Sequence, residues 1–178
     1  MMSGRIRDYA TLFLRIALAA AFLTSVTDRL GMWGSYGTTN VAWGDMTHFT
    51  AYTAKLNPWF PNGFIPVVAW FVTAAETILS VTLFFGFQTR IAAQLSGWLL
   101  LAFAVGMTAG TGIKSALNAS VFSASAGAFL LAAANAYPFS VDALRRKHRD
   151  AAREACINSQ LKNTCTARLV SNRKQRDR

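Results

Sequence analysis

Four stretches of the chain are apolar over a length that crosses a bilayer, and the polar positions fall between them. A hydrocarbon core about 30 Å thick takes roughly 20 residues of helix, and residues 9–30, 64–87, 91–113 and 117–137 each reach that length with few charges. The segment 64–87 carries a single charge, Glu76, near its middle, and 91–113 carries none. Between the first two stretches the pattern changes: Met46, Phe49, Tyr52 and Leu56 recur at helical spacing behind Asp45, a good N-cap, and the run ends before Asn57-Pro58. That predicts a short amphipathic helix at the membrane interface, flanked by Trp33, Tyr36, Trp43 and Trp59 at headgroup level.

The turns between the later spans are brief. Phe87 to Arg90 reads as a tight turn, and Lys114-Ser115-Ala116 as a second, which makes the third and fourth spans antiparallel neighbours. Gly106 and Gly110, and the stripe Ala124, Ala128, Ala132, place small residues where helix backbones approach closely. Pro138 ends the fourth span, and residues 142–156 then place Leu144, Ala151, Ala152 and Ala155 on roughly one face and charge on the other, as a basic surface helix. Residues 158–178 lack an apolar pattern and read as disordered. The predicted fold is all-α: a transmembrane four-helix bundle over residues 1–141, with the interfacial helix between its first and second spans and a basic cytoplasmic tail over 142–178.

Composition agrees with lipid as the solvent. The 178 residues are 53% hydrophobic and only 15% charged, which excludes an ordinary soluble domain. The net charge of +10 is uneven, with eleven Lys/Arg against four Asp/Glu from Asp142 onward and seven against four before it. Basic residues collect on cytoplasmic flanks, so a basic tail needs no nucleic acid, and it attracts anionic lipid. Arg5, Arg7, Arg90 and the tail share one side when there are four spans, against Arg29, Lys55 and Lys114 on the other, which predicts cytoplasmic N- and C-termini. The basic-then-apolar start resembles a signal peptide, but its apolar run is long, is interrupted by Arg15 and lacks a small-residue cleavage site, so it is predicted to be a span. Cys156 and Cys165 lie in the tail without metal-ligand spacing, and are expected as reduced thiols on the cytoplasmic side.

Candidate chemistry centres on Glu76. A carboxylate at that depth costs at least a few kcal/mol unless it is protonated, paired or turned to a protein interior. Arg15, about two turns inside the first span, either snorkels to the headgroups or pairs with Glu76; the Arg15–Glu76 pair is the expectation tested below. His48 and His148 have no ligand cluster around them and read as solvated residues, so no metal site is predicted. No nucleophile, general acid or base is assigned, because no Ser/His/Asp, Cys/His or paired-carboxylate set shares a face.

Several short motifs give the chain a family resemblance. Leu14-Arg15 opens the first helix, Asp28-Arg29-Leu30 closes it, and the aromatic loop helix ends in Leu56-Asn57-Pro58. Ala75-Glu76, the turn Gly86-Phe87-Gln88-Thr89-Arg90 and Ser140-Val141-Asp142 follow. Over about residues 9–145 this resembles the DoxX-like small membrane proteins. The resemblance implies a plasma-membrane four-helix bundle in which Asp28, Arg29, Arg90 and Asp142 are pattern residues. It also implies, from some members of the family, a link to quinone-dependent sulfur oxidation or to membrane redox complexes with partner subunits. Three functions follow as expectations: an accessory, quinone- or proton-linked subunit of a membrane redox system; a small-solute transport unit, which in so short a chain requires a homo-oligomer; and a scaffold whose charge pair fixes helix register.

Overall fold

The computed structural model describes residues 2–134 and 136–154 and is helical throughout, with no strand among them. Six α-helices precede the helix of residues 141–154: α1 (Met2–Arg29), α2 (Met46–Leu56), α3 (Ile65–Phe85), α4 (Thr89–Thr111), α5 (Ile113–Asn118) and α6 (Val121–Ala132). Three of them, α1, α3 and α4, are long and apolar enough to cross a membrane. Only about a third of the apolar windows of these helices is buried within the fold. Trp70, Phe71, Ile78, Phe84 and Phe85 of α3 are exposed, a surface far more apolar than water tolerates and suited to lipid.

The core is formed where the small faces of the helices meet. Leu18, Ala19 and Phe22 of α1 pack with Leu79 and Leu83 of α3, Ala92 and Ala93 of α4, and Ala128 and Leu131 of α6. The α3–α4 turn is a Schellman motif: Gly86 is left-handed at φ 68°, Phe87 N–H donates to the Thr82 carbonyl and Gly86 N–H to that of Leu83. Glycine is required there twice over, since a β-carbon at Gly86 would strike Ser140 and lie 2.7 Å from the Arg15 guanidinium. Gly97 lets α6 approach α4, for its carbonyl accepts from Ser125 Oγ at 2.8 Å and an added β-carbon would lie 2.8 Å from the Phe129 ring.

The fourth predicted stretch is not one continuous helix. Rather than one helix over 117–137, the chain makes the short α5, turns at Ser120 with φ 54°, and runs through the twelve residues of α6. Asn118 and Ser120 are residue types that favour caps and turns over helix interiors, and Ser120 takes the left-handed backbone at this point. Twelve residues rise about 18 Å, short of a bilayer core. Beyond α6, Tyr137 Oη donates to the Leu131 and Ala132 carbonyls, closing the end of the helix.

The short helix α2 was expected at the interface, and its boundaries and cap are as read. Asp45 accepts from His48 N–H at 2.8 Å, and Asn57 closes the other end. Its apolar face is nevertheless buried in the bundle: Phe49, Thr53 and Leu56 face inward, and Gly110 of α4 has no room for a β-carbon because the Leu56 backbone lies there. The helix and the loop before it form a lid over one end of α1, α3 and α4.

The chain divides into two units, Met1–Ser140 and Val141–Arg178. In the second, residues 141–154 form a helix that is exposed from Ala143 to Glu154, His148 included. Both cysteines and the stretch read as disordered lie outside the described residues.

Candidate functional site

Glu76 is 3% exposed and it is paired, but its partner is Arg29 rather than Arg15. Arg29 Nη1 stands 2.6 Å from Glu76 Oε2, and Nη2 donates to Oε1 at 3.2 Å. Nη1 also donates to Thr73 Oγ1 at 3.1 Å, one turn before Glu76 on α3, and that hydroxyl donates onward to the Ala69 carbonyl. The guanidinium lies against Phe49 of the lid, 3.6 Å from the ring centroid, with Trp43 at 5.1 Å. Such stacking holds a desolvated cation on the face of an aromatic ring.

The Arg15–Glu76 expectation fails for two geometric reasons. Ser80 Oγ donates to the Ala19 carbonyl, fixing the register of α1 against α3. Glu76 then lies level with about residue 23 of α1, roughly 12 Å from Arg15 and 9 Å from Arg29 along the axis. Side chains on a helix also lean toward its N-terminus, so Arg29 leans toward Glu76 and Arg15 leans away. Arg15, 2% exposed, donates instead to the carbonyls of Phe139 at 2.8 Å and Pro138 at 3.3 Å. These carbonyls lie past the end of α6, and the guanidinium supplies each with a donor.

The remaining pattern residues divide. Asp28, 5% exposed, accepts through Oδ2 from the N–H groups of Trp43 at 2.9 Å and Ala42 at 3.2 Å, which fastens the lid loop to the end of α1. Asp28-Arg29 thus acts as a two-residue clasp, one holding the loop and the other reaching α3. Arg90 is exposed in the first turn of α4, and Asp142 is half-buried at the start of the tail helix. His48, expected to be solvated, is stacked on Tyr36 with centroids 3.9 Å apart, and its Nδ1 is 2.9 Å from Asp45 Oδ2. Those two contacts of His48 with Asp45 hold the carboxyl below the usual aspartate range. Among the described residues no group of three His, Cys, Asp or Glu could hold a metal.

Beside the pair lies a cavity of about 340 Å³. Arg29 and Glu76 are its charged wall, Trp43, Phe49 and Tyr52 come from the lid, and Phe103 stands across it on α4. The rest of the lining is apolar except for Ser25, and the turn at Ala119 and the start of α6 complete it. Burial pushes the Tyr52 phenol up, so it is a neutral hydroxyl at physiological pH. The arrangement offers no nucleophile; it offers a partly open apolar space with one neutralised charge pair at its side.

Three apolar helices of spanning length, closed by an aromatic lid over a buried arginine–glutamate pair, define a small helical membrane protein. The DoxX family model matches residues 10–111, from the first turns of α1 through the end of α4, and the chain belongs to the DoxX family. The matched region holds Arg15, Asp28, Arg29, Glu76 and the whole lid. No curated protein and no solved structure matches the chain.

Proposed function

We propose that the protein is an accessory subunit of a membrane redox system and that its cavity holds a quinone-like molecule beside the Arg29–Glu76 pair. The observation that carries this reading is that the pair forms part of the wall of an apolar cavity. Ligand sites are mostly apolar with a few placed polar groups, and a volume of 300–1,000 Å³ is usual for them. The pair lets the site take up or release a proton if ligand entry separates the two charges. None of the four apolar stretches contains Cys or His, so the electron-carrying groups belong to partner subunits.

The protein sits in the plasma membrane as a multi-pass chain with cytoplasmic termini in this reading. The charge distribution supports that orientation, as does the return of Pro138–Ser140 to Arg15 and Gly86, at the end of the bundle holding the α3–α4 turn. The basic tail helix lies against anionic lipid. A second reading, a scaffold, is favoured by Arg15, which donates to the Pro138 and Phe139 carbonyls at the end of the bundle.

Mild detergent purification followed by identification of bound quinone and co-isolated subunits tests the proposal. Glu76→Gln is expected to leave assembly intact and to abolish activity in a cell-level assay. A Glu76→Gln protein as active as the parent, isolated without partners or quinone, leaves the scaffold alone.

A further inference from the structure

Arg29 is 2% exposed, lines the cavity, and has used only part of its hydrogen-bonding capacity. Its Nη atoms serve Glu76 and Thr73, but its buried Nε makes no hydrogen bond among the described residues. A guanidinium carries five N–H donors in a fixed fork, and one left unmade in a dry site is costly. The natural complement is an acceptor oxygen entering from the cavity.

The charge of that ligand follows from the pair. Arg29 and Glu76 already neutralise each other, so an anion would add an uncompensated charge beside the Glu76 carboxylate in a low-dielectric wall, and a cation would compete with Arg29. Its size follows from the volume. An engineered apolar cavity of about 150 Å³ binds benzene, and this one, at about 340 Å³, is roughly twice as large. Its shape follows from the aromatic walls, Trp43, Phe49 and Phe103, which favour a flat ring system.

We infer that the cavity between α1, α4 and the aromatic lid binds an uncharged, two-ring aromatic ketone, whose carbonyl oxygen accepts the free N–H of Arg29 and whose rings lie among Trp43, Phe49 and Phe103. The inference rests on reading this cavity as a ligand site and narrows its ligand class, but it does not require that the ligand be redox-active. Arg29 is therefore the residue that selects ligand chemistry, and Glu76 holds Arg29 in position.

The test uses the full chain, stripped of native lipid and reconstituted into phosphatidylcholine nanodiscs, with empty nanodiscs subtracted. Three two-ring probes are compared by equilibrium binding: 1-tetralone, a ketone that is not a quinone; tetralin, which lacks the oxygen; and 2-naphthoate, an anion. A hydrogen bond to a charged donor corresponds to about tenfold to a hundredfold in affinity, so tetralone is expected to bind at least tenfold tighter than tetralin, and naphthoate not to saturate. Ala124→Phe, which fills the cavity from α6, is expected to weaken tetralone binding at least tenfold, and Ala21→Phe does the same from α1 should the first variant not fold. Tetralone selectivity in a preparation that co-isolates no quinone upholds this ligand class while removing the redox reading. Equal binding of tetralone and tetralin, naphthoate binding as tight as the ketone, or no saturable binding of any probe overturns it.

Discussion

The lean of a side chain toward the N-terminus of its helix decides which arginine meets Glu76. Arg15 and Arg29 lie on the same helix and both are buried, yet only Arg29 leans toward the middle of α3, and Arg15 is left to the carbonyls after α6. The presence of a buried acid and its need for a cation were legible from one charge in an apolar run. The partner was not, because the register of α1 against α3 depends on the contact of Ser80 with Ala19, a relation that spacing along one helix does not contain. Arg15→Leu leaves the Pro138 and Phe139 carbonyls without that donor, and about 1–3 kcal/mol of stability is expected to be lost, read as a lower midpoint of thermal unfolding in detergent. Because Glu76 keeps its own partner, the loss from Arg15→Leu should be the same in a Glu76→Leu background. Asp45 carries a pH dependence. Its two contacts with His48 depress the carboxyl below the ordinary 3.8, so its contribution is present above that value and disappears as the pH falls through the depressed one. Acidification through this range should raise amide exchange at the start of α2, and Asp45→Asn, which still caps but does not titrate, should remove the effect.

At the scale of elements, glycine sets how closely the helices approach. A β-carbon at Gly110 would fall 2.6 Å from Leu56 Cα and 2.5 Å from the Lys55 carbonyl oxygen, both backbone atoms that cannot turn aside. Gly110→Ala is therefore expected to lift the lid from α4, with faster amide exchange across α2 and a change in Trp43 fluorescence. At Gly97 the three atoms nearest an added β-carbon all belong to the Phe129 ring, which can rotate, so the effect of Gly97→Ala should be smaller. The lid shows how far the pattern could be read. Asp45, the apolar stripe and Asn57 marked α2 correctly, but an aromatic-rich amphipathic helix has the same signature whether it lies on lipid or over a cavity. What distinguishes the two is Gly110, whose close approach to α2 appears only once α4 and α2 are together. The break in the fourth stretch was missed for a related reason: hydropathy over 117–137 is continuous, whereas the turn at Ser120 is a local backbone event that an apolar average conceals.

For the whole molecule, the Arg29–Glu76 pair joins the three parts that enclose the cavity: the end of α1, the middle of α3 and the lid, the last through Phe49 stacked on the guanidinium and through Asp28 on the loop. The bundle is then stable as a unit because neither charge is left alone in lipid. Removing one member of a buried pair costs about 3–5 kcal/mol, whereas replacing both by apolar residues is often neutral or better. Unfolding midpoints in one detergent for the parent, Arg29→Leu, Glu76→Leu and the double variant test this most directly. The double variant is predicted to be more stable than either single variant and close to the parent; single losses that simply add in the double variant would contradict the pairing of Glu76 with Arg29.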